Sequence, residues 1–465
     1  QKTIKRPRNI APSILSLIKL EPYLSNKLNL VSSGYKSVAL KETIFKLSKM
    51  PILIKLMGLV PIQDFELEQF LTNIRRSLLL SNSELGSSNE VLKFQTALAL
   101  QCFTNEYIYL ENNDEINALK KLEESVLSTL ESGKNPSSSS ILCLASYKAL
   151  YQYDWYHKIK IEKETEEVFK RQVKEPIYER KLKSSIPVLK RVKNKISLKV
   201  REQYEENPYP RWINLEFDLM PFSISRIAKN LKIRIFDHNI YNIKDPDVLI
   251  AGCGTGQQSI ERKSKYKNSQ ILAIDLSLSS LAYAKRKTEE LQVSGIEYMQ
   301  SDIRDLDKVG RKFDIIECAG VLHHMDDPVS GWRVLTNCLK KGGLMAIGLY
   351  SELAREIIVK IREEIKEKGI GSSNTEMKLF RNGILKSKQK HHMIIKEASD
   401  FYSLSEFRDL LFHVQEHRFT IPQIKDCLAN LGLKFCGFQG ELIVKDFILK
   451  NSKKDDLYNL DIWNL

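Results

Sequence analysis

Residues 248–350 predict an α/β fold built on a parallel, doubly wound sheet, and three observations predict it. Short β-rich runs alternate with amphipathic helical stretches: VLIA (248–251), QILAI (270–274), IEYM (296–299), FDIIE (313–317) and LMAIGLY (344–350). The first run leads straight into Gly252-Cys253-Gly254-Thr255-Gly256. The second run ends in an acid, Asp275, 19 residues beyond Gly256. Strands alternating with helices form βαβ units, whose crossovers impose parallel pairing.

Each element has a physical reason. Glycines in the turn after the first strand let backbone approach a ligand that any Cβ would hold off. The spacing is G-x-G-x-G, shorter than the G-x-G-x-x-G that seats a pyrophosphate. An acid at the tip of the second strand is placed to take both hydroxyls of a ribose. The third run is followed by Ser301-Asp302-Ile303, where a carboxylate can accept from an adenine amino group while Ile303 and Leu276 cover the ring. The fourth run leads into Cys318-Ala319-Gly320 and then Val321-Leu322-His323-His324-Met325-Asp326-Asp327-Pro328. Lys341-Gly342-Gly343 turns into the fifth.

In this order and spacing, residues 248–350 resemble the class I S-adenosylmethionine (AdoMet)-dependent methyltransferases. The resemblance implies a Rossmann-like, seven-stranded methyltransferase domain with strand order 3-2-1-4-5 and the cofactor over the C-terminal ends of the strands. It implies that S-adenosyl-L-methionine is converted to S-adenosyl-L-homocysteine. The cofactor-binding residues it implies are Gly252, Cys253, Gly254, Gly256, Asp275, Leu276, Asp302, Ile303 and Cys318.

The rest of the chain reads as helical. Phe65, Leu67, Phe70, Leu71, Ile74 and Leu78 recur at three-to-four spacing, with acids opening that helix and Arg75 and Arg76 near its end. Further helices are expected over 91–109, 114–130 and 141–153. Residues 132–140 (SGKNPSSSS) and 369–374 read as loops. Residues 401–431 are strongly amphipathic, and 433–438 and 442–447 read as closing strands. Four domains are expected. Residues 1–131 form a helical interaction or dimerisation domain, and 141–227 a basic helical middle segment ending in NPYPRW. Residues 228–352 form the cofactor domain, and 353–465 a mainly helical cover over the acceptor site.

The 465 residues suffice for two or three domains, and 42% hydrophobic with 28% charged content is an ordinary globular balance. The chain opens on Gln1, which predicts that residues precede it; no signal peptide is visible. The most apolar stretch, 50–62, carries Lys55 and is too short for the ~20 residues a membrane span needs. Seven scattered cysteines without a C-x-x-C argue against disulfides and structural zinc, and for a reducing compartment. Net charge is +14, and residues 158–201 hold fifteen Lys/Arg against six Glu, interrupted by Pro176 and Pro187. That surplus fits a solvated face as well as an acidic partner.

Several methyl acceptors are argued against. Amino-methylating DNA enzymes place D/N-P-P-Y after the fourth strand, where this chain has Glu317-Cys318-Ala319-Gly320. Pyrimidine C5 enzymes need Pro-Cys, and Cys318 follows Glu317. DFELEQFLTNIRRSLLL near Asp64, LQCFTNEY near Gln101, ENPYPRW near Asn207 and DFYSLSEFRDLLFHVQEHRFT (400–420) resemble the rickettsial protein-lysine methyltransferases that modify outer membrane protein B. The resemblance implies lysine N-methylation of a bacterial outer membrane protein, in the cytoplasm, by a homodimer. An RNA methyltransferase using the basic stretch 158–201 is the alternative.

Tyr209, Trp212 and His413 are the candidate catalytic residues. Tyr209 and Trp212 either wall an acceptor channel, with Arg211 holding a carboxylate, or form a rigid connector with Trp212 in the core. His323 and His324 either relay a proton or pack and cap the next helix, and packing is the commoner role. His413, Glu416 and His417 can share one helix face, near an acceptor site or as a packing patch. They lack the H-E-x-x-H order of zinc proteases, and no metal ligands are assigned. His391 and His392, in a Lys-rich stretch, are expected to be solvated.

Overall fold

The structure, a computed structural model, describes residues 7–32, 40–81, 88–215, 221–451 and 453–465. The chain divides into two compact units. The first comprises residues 1–179, 211–215 and 360–412; the second comprises 180–210, 216–359 and 413–465. The units cut across the four stretches drawn from the sequence.

The first unit is helical. The expected amphipathic helix is Phe65–Leu80, and Asp64 caps it by accepting from the Leu67 amide. Asn89–Thr104 and Asn113–Glu131 follow, the latter opened by an Asn112/Glu115 capping box. Residues 132–140 are only partly loop. Ser137 caps a helix over Ser138–Ala145, because a serine hydroxyl that accepts from the third helical amide starts a helix as readily as it ends one. Leu92, Ala99, Leu100 and Val126 share one core with Ile141, Leu144, Val168 and Phe169, so residues 141–173 pack as part of this unit. Pro176 does not interrupt the basic stretch. A π-helical turn, Lys170–Lys174, precedes it and helix continues through Glu175–Leu182; such a turn shifts the hydrogen-bond ladder where proline supplies no donor. Residues 360–412 are tied in by Arg381, which clasps Glu68 with two bonds of 2.7 and 2.6 Å, both side chains buried.

The second unit carries the sheet: β1 (Asp247–Ala251), β2 (Gln270–Asp275), β3 (Ile296–Gln300), β4 (Phe313–Ala319) and β5 (Leu339–Gly348). All four pairings are parallel, in the order β3-β2-β1-β4-β5 implied above. Alternation sorts side chains onto two faces. Val248, Ile250, Ile271, Ala273 and Ile315 pack against Ile227, Leu281 and Ala284. Leu249, Ala251, Leu272, Ile274 and Ile316 pack against Leu306, Trp332, Leu335 and Cys427 on the other.

The described residues give five strands where seven were expected. Residues 433–440 form no regular structure, and 442–447 lie inside a helix, Glu441–Lys450. Val444 and Phe447 are its buried residues, while Leu442 and Leu449 are exposed. Burial at i and i+3, with Lys445–Glu441 and Lys450–Asp446 pairs at i,i+4, is a helical pattern that the apolar run ELIV conceals. No helix among the described residues is long and apolar enough to cross a membrane.

Candidate functional site

Sheet order reverses between β1 and β4, and a crevice opens at the C-terminal ends of strands at such a switch point. Gly252, leaving β1 with φ +76°, meets Val321 there; a Cβ on Gly252 would sit 2.1 Å from Val321 Cγ2. The Gly252 and Cys253 amides donate to the Ile274 carbonyl, binding the glycine loop to the end of β2. Gly256, at φ +81°, then starts the helix Gln257–Lys265.

Asp275 is the hinge of the arrangement. Its Oδ2 accepts from the Gly254 amide at 2.8 Å and its Oδ1 from the Ser277 amide at 2.9 Å. Burial pushes its carboxyl above the usual range, and those amides pull it back. These fixed donors hold the carboxylate at the tip of β2. Leu276 is half-buried beside it, and its carbonyl accepts from Gln300 Nε2 at 2.7 Å. Beyond β3, Asp302 and Ile303 are buried, and Asp302 accepts from the Arg304 amide at 3.0 Å.

Two sequence-predicted positions differ from the rest. Cys318 is fully buried, paired within β4 and packed in the core, so the surface near the end of β4 belongs to its exposed neighbours Ala319 and Gly320. Cys253 is also buried, and burial holds its thiol well above the ordinary range. Neither thiol is a nucleophile in this state.

Sequence reasoning missed what covers the glycine loop. The Thr255 hydroxyl donates to the Pro210 carbonyl, and a Cβ on Gly254 would lie 2.6 Å from the Tyr209 carbonyl oxygen. The preceding helix, Lys195–Glu206, docks beside β2: Ser277 Oγ donates to the Tyr204 carbonyl, and the Leu278 and Ser279 amides point at Glu205. The ENPYP stretch, 206–210, is therefore a strap anchored on the loop. No local pattern announces it, because its partners lie some 45 to 74 positions away.

An aromatic row borders the C-terminal ends of β4 and β5. Tyr209 stacks toward Tyr204 at 6.3 Å, and Tyr204 lies 6.0 Å from His413. His413 stacks on His324 at 3.5 Å, His324 meets His323 edge-on, and His323 stacks on Tyr350 at 3.7 Å. His413, Glu416 and His417 do not share a helix face. The amphipathic stretch breaks into Leu404–Phe412 and Ile421–Asn430, with these residues in the extended segment between. Pairing across the end of β5 wins over the helix: His417 N donates to the His323 carbonyl and Phe419 N to the Tyr350 carbonyl. Glu416 is used internally, clasped by Arg355.

His323 packs rather than relays protons, and the next helix, Pro328–Cys338, is capped by Asp327. Burial, then His324, pushes the His323 imidazole down to about 2. The folded state thus holds it neutral while the unfolded chain protonates it below about 6.5. Its contribution is fully present above pH 6.5 and is lost as pH falls toward the folded value. Replacing His323 with Asn is expected to flatten the fall of stability between pH 6.5 and 4. Urea midpoints at four pH values check this, and parallel profiles for the two proteins would contradict it.

Arg211 and Trp212 fall in the first unit. The Arg211 Nε lies 3.1 Å from Glu106 Oε1, so a carboxylate of the protein itself faces it. Trp212 is buried, 7% exposed.

Bare backbone at the glycine loop, an acid at the tip of β2 and a second acid after β3 fit AdoMet; no cationic cradle for a pyrophosphate lies in the loop. Residues 244–399 match the methyltransferase domain family. This segment is an AdoMet-dependent methyltransferase domain of class I. Among curated relatives, an uncharacterised protein of Synechococcus sp. is 28% identical over 205 residues, 42% of this chain and 48% of that one. The ubiquinone biosynthesis O-methyltransferase of Coxiella burnetii is 36% identical over 104 residues, 22% of this chain and 42% of that one. The chain thus spans about half the length of the curated relatives it matches. Among solved structures, PKMT2 from Rickettsia typhi is similar at 17% identity and a TM-score of 0.37, over 53% of this chain and 51% of that one.

Proposed function

We propose that the chain is a protein-lysine N-methyltransferase whose acceptors are lysines of a bacterial outer membrane protein. The observation that carries this reading is the aromatic row Tyr209, Tyr204, His413, His324 and Tyr350 at the C-terminal ends of β4 and β5. Bound AdoMet supplies a methyl group already activated on a cationic sulfonium. Gly252, Cys253, Gly254 and Gly256 lie along its methionine part, Asp275 takes the ribose hydroxyls, and Asp302, Ile303 and Leu276 hold the adenine.

The protein's task is then positioning and deprotonation. A lysine ammonium, with a pKa of ~10.4, must lose a proton before its nitrogen can attack. Aromatic walls beside a cationic centre disfavour the charged form by desolvation and repulsion. Tyr209 and His413 line that channel. Alignment of amine, methyl and sulfur supplies most of the remaining acceleration. The basic stretch gives the RNA alternative weaker support. Lys183 pairs with Glu205, Lys190 with Asp305, and Arg171 is buried, donating to Thr104.

The test offers labelled AdoMet with an unfolded surface-protein fragment, total bacterial RNA and a quinol. Label on lysine side chains is expected, falling at least tenfold in Tyr209→Ala. Label confined to RNA or to the quinol overturns the reading.

A further inference from the structure

The histidine pair expected to be solvated is buried, His391 at 9% and His392 at 5% exposure. Both rings, on the helix Lys390–Ile395, turn toward one carboxylate, Glu364 on the helix Glu356–Glu367. His391 Nε2 contacts Glu364 Oε1, and His392 Nε2 lies 3.4 Å from Glu364 Oε2. The three donor atoms all lie within 4.8 Å of one another. All three residues belong to the first unit.

We propose that Glu364, His391 and His392 form a binding site for a divalent first-row cation, zinc above all. Two imidazoles and a carboxylate are a common zinc donor set, and donors around a tetrahedral zinc stand about 3.3 Å apart. His392 Nε2 is buried and makes no hydrogen bond, so the nitrogen that faces the cluster is not satisfied by the protein. The other side of that ring is already oriented. Its Nδ1 lies 2.8 Å from Ser387 Oγ, which also accepts from the Gln389 amide at 3.2 Å. A ring whose Nδ1–H donates to Ser387 presents Nε2 as an acceptor, the tautomer a metal requires.

One cation already competes. Lys368 Nζ lies 3.2 Å from Glu364 Oε2, but its side chain is 58% exposed and can swing into water. Its departure frees the oxygen that faces His392, and water completes the fourth position. The bound ion would staple the two helices, whose ligands stand 27 and 28 positions apart. This is why no H-E-x-x-H-like spacing marks the site in the sequence.

The experiment uses the full chain stripped with a chelator and titrated with Co2+ as a spectroscopic probe, then with Zn2+ in competition. One equivalent of Co2+ is expected, giving tetrahedral d–d absorption without a thiolate charge-transfer band, and displaced by Zn2+. Affinity should fall at least tenfold in His392→Ala and Glu364→Ala, and about tenfold in Ser387→Ala, which removes only the orienting partner. Absence of saturable binding to the wild-type chain, or a thiolate band placing the metal on cysteines, overturns the proposal. Unchanged affinity in both ligand variants, with native circular dichroism, overturns it too. If a ligand variant misfolds, Ser387→Ala, which removes no donor atom, decides: unchanged Co2+ affinity there overturns the proposal.

Discussion

Asp275→Ala is expected to weaken AdoMet binding by about two to three orders of magnitude. Hydrogen bonds to a charged partner contribute about 1.5–3 kcal/mol each, and a ribose offers two hydroxyls to this carboxylate. Counted at about 1.5–2 kcal/mol each, their joint loss is about 3–4 kcal/mol, a factor of about 10²–10³ in Kd. The alanine also leaves the Gly254 and Ser277 amides without their acceptor, so the glycine loop loses its fixed position relative to β2. Asp275→Asn keeps the shape and one acceptor oxygen and should lie between the two. Calorimetric titration with S-adenosylhomocysteine measures this directly. A Kd within threefold of wild type for Asp275→Ala would remove Asp275 from the site.

Glu68→Ala is expected to destabilise the helical unit by about 3–5 kcal/mol, the cost of breaking a buried pair and leaving one charge without its partner. Arg381 would retain its 2.7 Å bond to the Phe401 carbonyl and its place over the Phe401 and Tyr402 rings. The double variant Glu68→Leu/Arg381→Met should recover much of the loss, since apolar side chains of similar volume replace a buried pair at little cost. Recovery stays incomplete because the Phe401 carbonyl then has no donor. Urea midpoints of the wild-type, single and double variants read both effects. A change below about 1 kcal/mol for Glu68→Ala would mean that the pair is effectively solvated.

The parts legible in the sequence are those set by short-range physics. β1 to β4 read out directly because each is a short apolar run bounded by turn residues, and parallel strands covered on both faces show such runs; β5 starts earlier than its apolar run, at Leu339, and takes in the expected turn Lys341-Gly342-Gly343. The Gly252–Gly256 turn and Asp275 were legible because a turn without side chains and an acid at a strand tip are local requirements. The helix Phe65–Leu80 showed its period and its Asp64 cap.

Tertiary structure decided the rest. The run 442–447 is apolar enough for a strand, yet Val444 and Phe447 find Leu457 and Trp463 from one side, and that selects helix. Residues 413–420 leave the amphipathic period because pairing with 323 and 350 satisfies their backbone better. His391 and His392 lie among lysines in sequence but face Glu364 in space. The strap over Gly254 depends on Thr255 and Glu205 meeting partners far along the chain. The sequence by itself determined the strands and the glycine turn, because strand alternation and turn chemistry are properties of neighbouring residues; the order of the sheet came with the family resemblance that those motifs carry. Only the tertiary structure decided which rings border the C-terminal ends of β4 and β5 and what the buried histidines face, because those contacts join residues that no local period relates.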